Sequence, residues 1–180
     1  MDKSSLNVKK KIMYIIDEDY NYLAYNILLI LNCLKCYSET KMFVSYMKLP
    51  YIINFISSEF STNLFIRLFN NSSKNLNHIE YENLFKIYTK SKMTNNHIKR
   101  LIFSLKEKKI VDFKKDRFSS IGVFLNNNKN LSGILKNSIF YDEKNRINEL
   151  KEAFPRIKSI KYNTFVKKVF IDNGVGKWED

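Results

Sequence analysis

Residues 94–125 read TNNHIKRLIFSLKEKKIVDFKKDRFSSIGVFL, and the fold turns on how this stretch divides. Ile98, Leu101, Ile102 and Leu105 recur at the spacing that lines one face of an α-helix. Thr94 stands where a helix cap belongs. Two short, partly alternating apolar runs follow, residues 110–113 and 118–125, around the polar Lys114-Lys115-Asp116-Arg117. That is a strand, turn, strand pattern, without the Asn-Gly or Asp-Gly pair that marks the tightest hairpins. Just upstream, residues 79–88 read as a helix with Leu84, Phe85 and Tyr88 inward. A helix, a second helix capped by Thr94 and a hairpin are the order of a winged helix-turn-helix, with residues 112–120 as the wing.

Working outward from this module, residues 1–11 read as a basic lead-in, and residues 12–16 are apolar. Asp17, Glu18 and Asp19 place three acids where the helix dipole favours them, at a helix start. Leu23, Ile27, Ile30, Leu31 and Leu34 then keep helical spacing, and Ala24, Leu28 and Leu29 occupy the other side, so this helix is buried nearly all round. Pro50 breaks one helix and starts another over residues 50–58. Ser61, Thr62 and Asn63 offer caps for a short helix holding Leu64, Phe65, Leu68 and Phe69. The polar run 70–77 marks a boundary. Past residue 126, a helix is expected over residues 145–154, ended by Pro155, and residues 158–171 suit helix or strand.

The expected fold class is therefore mainly α with a small β-hairpin: an N-terminal helical part (1–70), a winged-helix-like module (78–126) and a basic C-terminal extension (127–180). Only 4 Gly and 2 Pro in 180 residues argue against a many-stranded sandwich or barrel. The apolar surfaces of residues 20–37 and 42–58 look larger than a small basic domain hides, which implies an obligate partner.

Charge sets the expected partner. With 31 basic and 18 acidic residues the formal net charge is +13, and eleven of the basic residues stand between Lys86 and Arg117 against three acids. Such an excess attracts polyanions. A recognition helix starting at Thr94 would present Lys92, Asn95, Asn96, Lys99 and Arg100 to DNA, and the wing would add Lys114, Lys115 and Arg117. Docking onto an acidic protein stays open beside DNA contact. Arg156, Lys158, Lys161, Lys167 and Lys168 form a second basic stretch, free of acids from 156 to 171.

No catalytic constellation stands out, so no enzyme, cofactor or metal is expected. Gly122, Gly133, Gly174 and Gly176 form no phosphate-binding loop, and two histidines without a G-x-S-x-G sequence leave no triad. Cys33 and Cys36 lack the further ligands a zinc site needs, and read as reduced, buried helix thiols. Reduced thiols and the lack of a secretory signal suit the cytoplasm. The apolar run 22–34 is too short to span a bilayer, so no membrane is expected.

The segment Asn21-Tyr22-Leu23-Ala24-Tyr25-Asn26-Ile27-Leu28-Leu29, followed by Tyr46-Met47-Lys48-Leu49-Pro50-Tyr51-Ile52-Ile53, resembles the middle component of three-component ABC-type systems. That family includes the small accessory subunit of Lamassu antiviral defence systems. In it, an N-terminal helix precedes an apolar segment centred on Leu-Pro and then a winged-helix region; the resemblance covers residues 15–125 as an order of elements. It implies an accessory subunit that works beside an SMC-like ATPase and an effector such as a nuclease, helps clamp DNA and carries no catalytic residue. Leu49, Pro50 and Tyr51 would then belong to the partner-binding segment. The alternative is a free-standing winged-helix DNA-binding regulator or replication initiator.

Overall fold

The computed structural model describes residues 20–70, 75–115, 120–126 and 140–176. Helices dominate, with one two-stranded antiparallel sheet. Helix α1 (Tyr20–Cys33) buries Leu23, Asn26 and every residue from Ile27 to Leu31, as its all-round apolar sequence requires. Its end is a left-handed Lys35 (φ 55°), which lets the Cys36 N–H reach the Leu31 carbonyl at 2.8 Å. A turn of 3-10 helix (Tyr46–Lys48) leads into α2 (Leu49–Ile56), where Pro50 sits in the first turn. Helix α3 (Glu59–Phe69) is capped by Ser58, whose Oγ accepts from the Ser61 N–H, so Ser61 and Thr62 lie inside the helix.

Helix α4 (His78–Glu107) is a single helix of 30 residues, about 45 Å long at 1.5 Å per residue. The expected turn before Thr94 is absent, and with it the helix-turn-helix within residues 79–107. Neither Gly nor Pro interrupts the span, and the Thr94 hydroxyl donates back to the Lys90 carbonyl at 2.7 Å instead of capping a new helix. The start is fixed by a capping box. Asn77 Oδ1 accepts from the Glu80 N–H, and Glu80 Oε2 accepts from the Asn77 N–H. Arg67 pairs with the same carboxylate and, with the Asn77 N–H, holds Glu80 below the usual carboxylate range. Leu84 and Tyr88 face inward as the pattern requires, whereas Phe85 is exposed.

Strands β1 (Val111–Lys115) and β2 (Ile121–Leu125) pair antiparallel, Phe113 opposite Val123 and Lys115 opposite Ile121. Phe43 adds a bridge to the free edge of β2, exchanging both backbone hydrogen bonds with Val123. Beside it Met42 lies across Gly122, where a Cβ would stand 2.4 Å from its sulfur. Helices α5 (Tyr141–Ala153) and α6 (Tyr162–Val169) complete the fold.

The residues expected to form a basic extension pack into the common core. Phe165 and Phe170 are fully buried among Tyr51, Phe55, Phe65, Phe69 and Tyr88, with ring centroids between 4.8 and 6.5 Å apart. The apolar segments around α1 and α2, read as calling for an obligate partner, are covered by this core. Leu49 and Tyr51 are buried within it and Pro50 is buried beside them, so none of the three presents a surface on which a protein partner could dock.

Among the described residues, Lys48 is the largest fully buried charged side chain. It is fully buried, donates to the carbonyls of Ile157 (2.8 Å) and Ile160 (2.6 Å), and lies 4.6 Å from the centre of the Phe43 ring. Burial pushes its ammonium down from 10.5 to about 7, and the nearby Cys36 opposes that fall. The unfolded chain therefore keeps a proton that the folded chain sheds, and stability rises with pH above about 7. Burial pushes the Cys36 thiol the other way, from 9.0 up to about 11, so the unfolded chain ionises first and stability falls above about 9. Urea unfolding at pH 7, 8 and 9 is expected to show a gain of up to about 1.4 kcal/mol per pH unit, the limit for one proton. Lys48→Met should flatten that slope.

Candidate nucleic-acid interface

The outer side of α4 carries the candidate interface. Residues 85, 92, 96, 99, 100 and 103 follow one another at helical spacing and are all exposed, while Ile98, Leu101, Ile102 and Leu105 hold the opposite side in the core. The stripe thus reads Phe85, Lys92, Asn96, Lys99, Arg100, Phe103. Four of the residues expected to meet DNA stand together on it: Lys92, Asn96, Lys99 and Arg100. Its stretch from Lys92 to Phe103 runs about 17 Å along the helix. Asn95 does not belong to it. That side chain is half-buried toward the body of the protein, with its Oδ1 enclosed.

The hairpin continues the stripe through one face only. Phe113 packs edge-on against Phe103, centroids 5.1 Å apart, and the Lys106 ammonium lies 3.9 Å from the Phe113 ring centre while reaching Asp112 at 3.1 Å. The Phe113 backbone N–H and then Lys106 hold the Asp112 carboxyl below its usual range. Side chains alternate along a strand, so Lys115 shares the Phe113 face and extends the basic stripe. Lys114 points the other way and pairs with Glu39. Arg117, the remaining residue of the expected crown, lies outside the described residues.

Much of the remaining positive charge is structural. Lys151 donates to the Cys33 carbonyl and Lys158 to the Leu34 carbonyl, closing the negative end of α1. Arg146 donates to the Ile56 carbonyl at the end of α2. The second basic stretch is therefore divided. Lys158 serves the fold, whereas Arg156, Lys161 and Lys167 are exposed.

Sequence reading missed the two aromatic members of the stripe, Phe85 and Phe103, which are 45% and 44% exposed. The sequence reading places Phe85 inward together with Leu84 and Tyr88, whereas Phe85 is exposed. The available signal was its spacing: 85, 92, 96, 99 and 103 form their own helical series, offset from the buried one.

Cys33 and Cys36 are free, buried thiols; Cys33 ends α1 and Cys36 lies in the turn after it. Among the described residues no three His, Cys, Asp or Glu side chains gather closely enough to hold a metal ion. No described helix is long and apolar enough to cross a membrane.

No family model, curated protein or solved structure matches this chain.

Proposed function

We propose that the protein is a non-catalytic DNA-binding subunit that lays the outer stripe of α4 along the nucleic acid. The observation that carries this reading is the grouping of Lys92, Lys99 and Arg100 with Asn96 and two exposed phenylalanines on one helix face. Cations at this spacing meet successive phosphates and release counterions, and exposed rings offer stacking surfaces to unpaired bases. In this reading α4 takes the role of a recognition helix and the β1–β2 hairpin that of a wing, with Lys115 at its turn end. The order of α1, the Phe43 strand segment, α2, the helix before the hairpin and the hairpin supports a winged-helix derivative with α3 inserted.

The family resemblance extends the proposal to the company the protein keeps: an SMC-like ATPase and a nuclease effector in antiviral defence, with this chain as accessory subunit. One observation favours the second reading, a free-standing regulator or replication initiator. The apolar segments around Leu49, Pro50 and Tyr51 are satisfied within the chain. Two measurements address these readings. Fluorescence anisotropy of the full chain with a duplex and a single strand of about 30 nucleotides should give log K falling linearly with log salt, with a slope of about −3 or steeper. A salt-independent affinity would remove the DNA reading. Co-purification from native cells with an SMC-like ATPase supports the accessory role, and a lone DNA-binding chain supports the regulator.

A further inference from the structure

A second feature lies on a different side of α4. A cavity of about 410 Å³ opens where α1, α2 and the start of α3 meet α4. Tyr22, Leu23, Pro50, Ile53 and Ile87 make an apolar wall, and Ser58, Ser61, Asn83, Lys86 and Lys90 line it with polar groups. No carboxylate is among the described residues that line it. The polar side is ordered by a short chain of hydrogen bonds. Ser61 Oγ accepts from Ser58 Oγ at 2.9 Å and from Asn83 Nδ2 at 3.0 Å, while Ser58 Oγ itself accepts from the Ser61 N–H. These bonds fix Ser61 Oγ at the cavity wall, and its hydroxyl can rotate to donate to an incoming acceptor. Ser61 is only 3% exposed, so a group that accepts from it is largely shielded from bulk water. Lys86 lines the cavity and is exposed, so positive charge without a lining carboxylate favours an anion there. The size is that of pockets for small organic ligands.

We propose that this cavity binds a small phosphorylated molecule with a compact apolar body. The phosphate would accept from Ser61 Oγ and sit between Lys86 and Lys90, and the body would lie on the Tyr22, Pro50 and Ile53 wall. The site is separate from the stripe: Lys86 and Lys90 occupy a different face of α4 from Lys92, Lys99 and Arg100. The test is calorimetric titration of the full chain with 1-naphthyl phosphate, beside 1-naphthol and inorganic phosphate. One saturable site for 1-naphthyl phosphate is expected, with both fragments at least about tenfold weaker. The double variant Lys86→Gln, Lys90→Gln should weaken it about a hundredfold and Ser61→Ala about tenfold. Lys108→Gln with Lys109→Gln, two exposed lysines at the far end of the helix, should leave it unchanged. DNA affinity of the Lys86, Lys90 variant should fall by less than about tenfold, which separates a small-molecule site from a docking point for a nucleic-acid phosphate. Equal affinity in wild type and double variant, binding of 1-naphthol as tight as of its phosphate, or no saturable binding by wild type would each overturn the proposal.

Discussion

Reversing three charges on the outer stripe of α4, with Lys92→Glu, Lys99→Glu and Arg100→Glu together, is expected to reduce DNA affinity by about a thousandfold at 0.1 M salt. The magnitude follows from counterion release: each lost phosphate contact removes about 0.9 from the salt slope and is worth about tenfold at that salt. The slope should therefore become shallower by about three. Folding should suffer little, because all three side chains are exposed and only Lys92, 5.4 Å from the centre of the Tyr88 ring, reaches a buried ring. Unchanged thermal unfolding of the variant checks that point. Lys114→Glu is the contrasting substitution. It breaks the pair with Glu39 on the other hairpin face and should leave the slope nearly constant. Phe103→Ala separates strand types, since stacking on an exposed ring contributes to binding of unpaired bases and little to a duplex. A triple variant that retains both slope and affinity would show that α4 does not meet DNA.

How much of this was legible in the sequence depended on the kind of signal. The runs of apolar residues were enough for α1, for α2 after Pro50 and for the β1–β2 pairing, because each run is bounded by polar residues or by Pro50 and is buried along most of its length. Helix ends were harder to read. α1 and α4 both finish on left-handed lysines, Lys35 and Lys109, where glycine is the usual marker. Thr94 misled for a related reason. A threonine at an N-cap and one donating back to the preceding turn are the same letter, and only the unbroken backbone from His78 to Glu107 distinguishes them. Asn95 was misplaced with it, because a helix starting at Thr94 points its first residues outward, whereas the continuous helix turns Asn95 inward.

Composition was least informative about which lysines are available. Lys48, Lys151 and Lys158 are as basic as Lys99 in any sequence count, yet each donates to a backbone carbonyl of a segment distant in the chain. The helix dipole favours the positions of Lys151 and Lys158 at the end of α1, Lys48 is held by carbonyls of a turn, and nothing local in the sequence reveals any of the three. The net charge of +13 therefore overstates the field available to a polyanion, and the grouping on α4 carries more of the functional argument than the total.

The same long-range packing underlies the largest expected stability effect. Phe165→Ala is expected to destabilise the whole fold by about 3–5 kcal/mol, the range for removing a fully buried aromatic ring and leaving a cavity. Phe165 comes from α6, within residues that the sequence suggested were an appended tail, yet it is fully buried and touches the rings of Tyr51, Phe65 and Phe69 from α2 and α3. Collapse around the gap is limited, because Phe170 and Val169, both fully buried, hold the neighbouring positions. A loss of this size is a large share of the about 5–15 kcal/mol that stabilises a typical domain. For a chain of this length it should lower the melting temperature by about 10 °C or more. The shape of the transition is as informative as its position. If α6 belongs to one cooperative core, near-UV and far-UV circular dichroism shift together and the urea m-value stays constant. An early, small transition followed by an unshifted main one would instead mean that the C-terminal helices dock on a body that is stable without them.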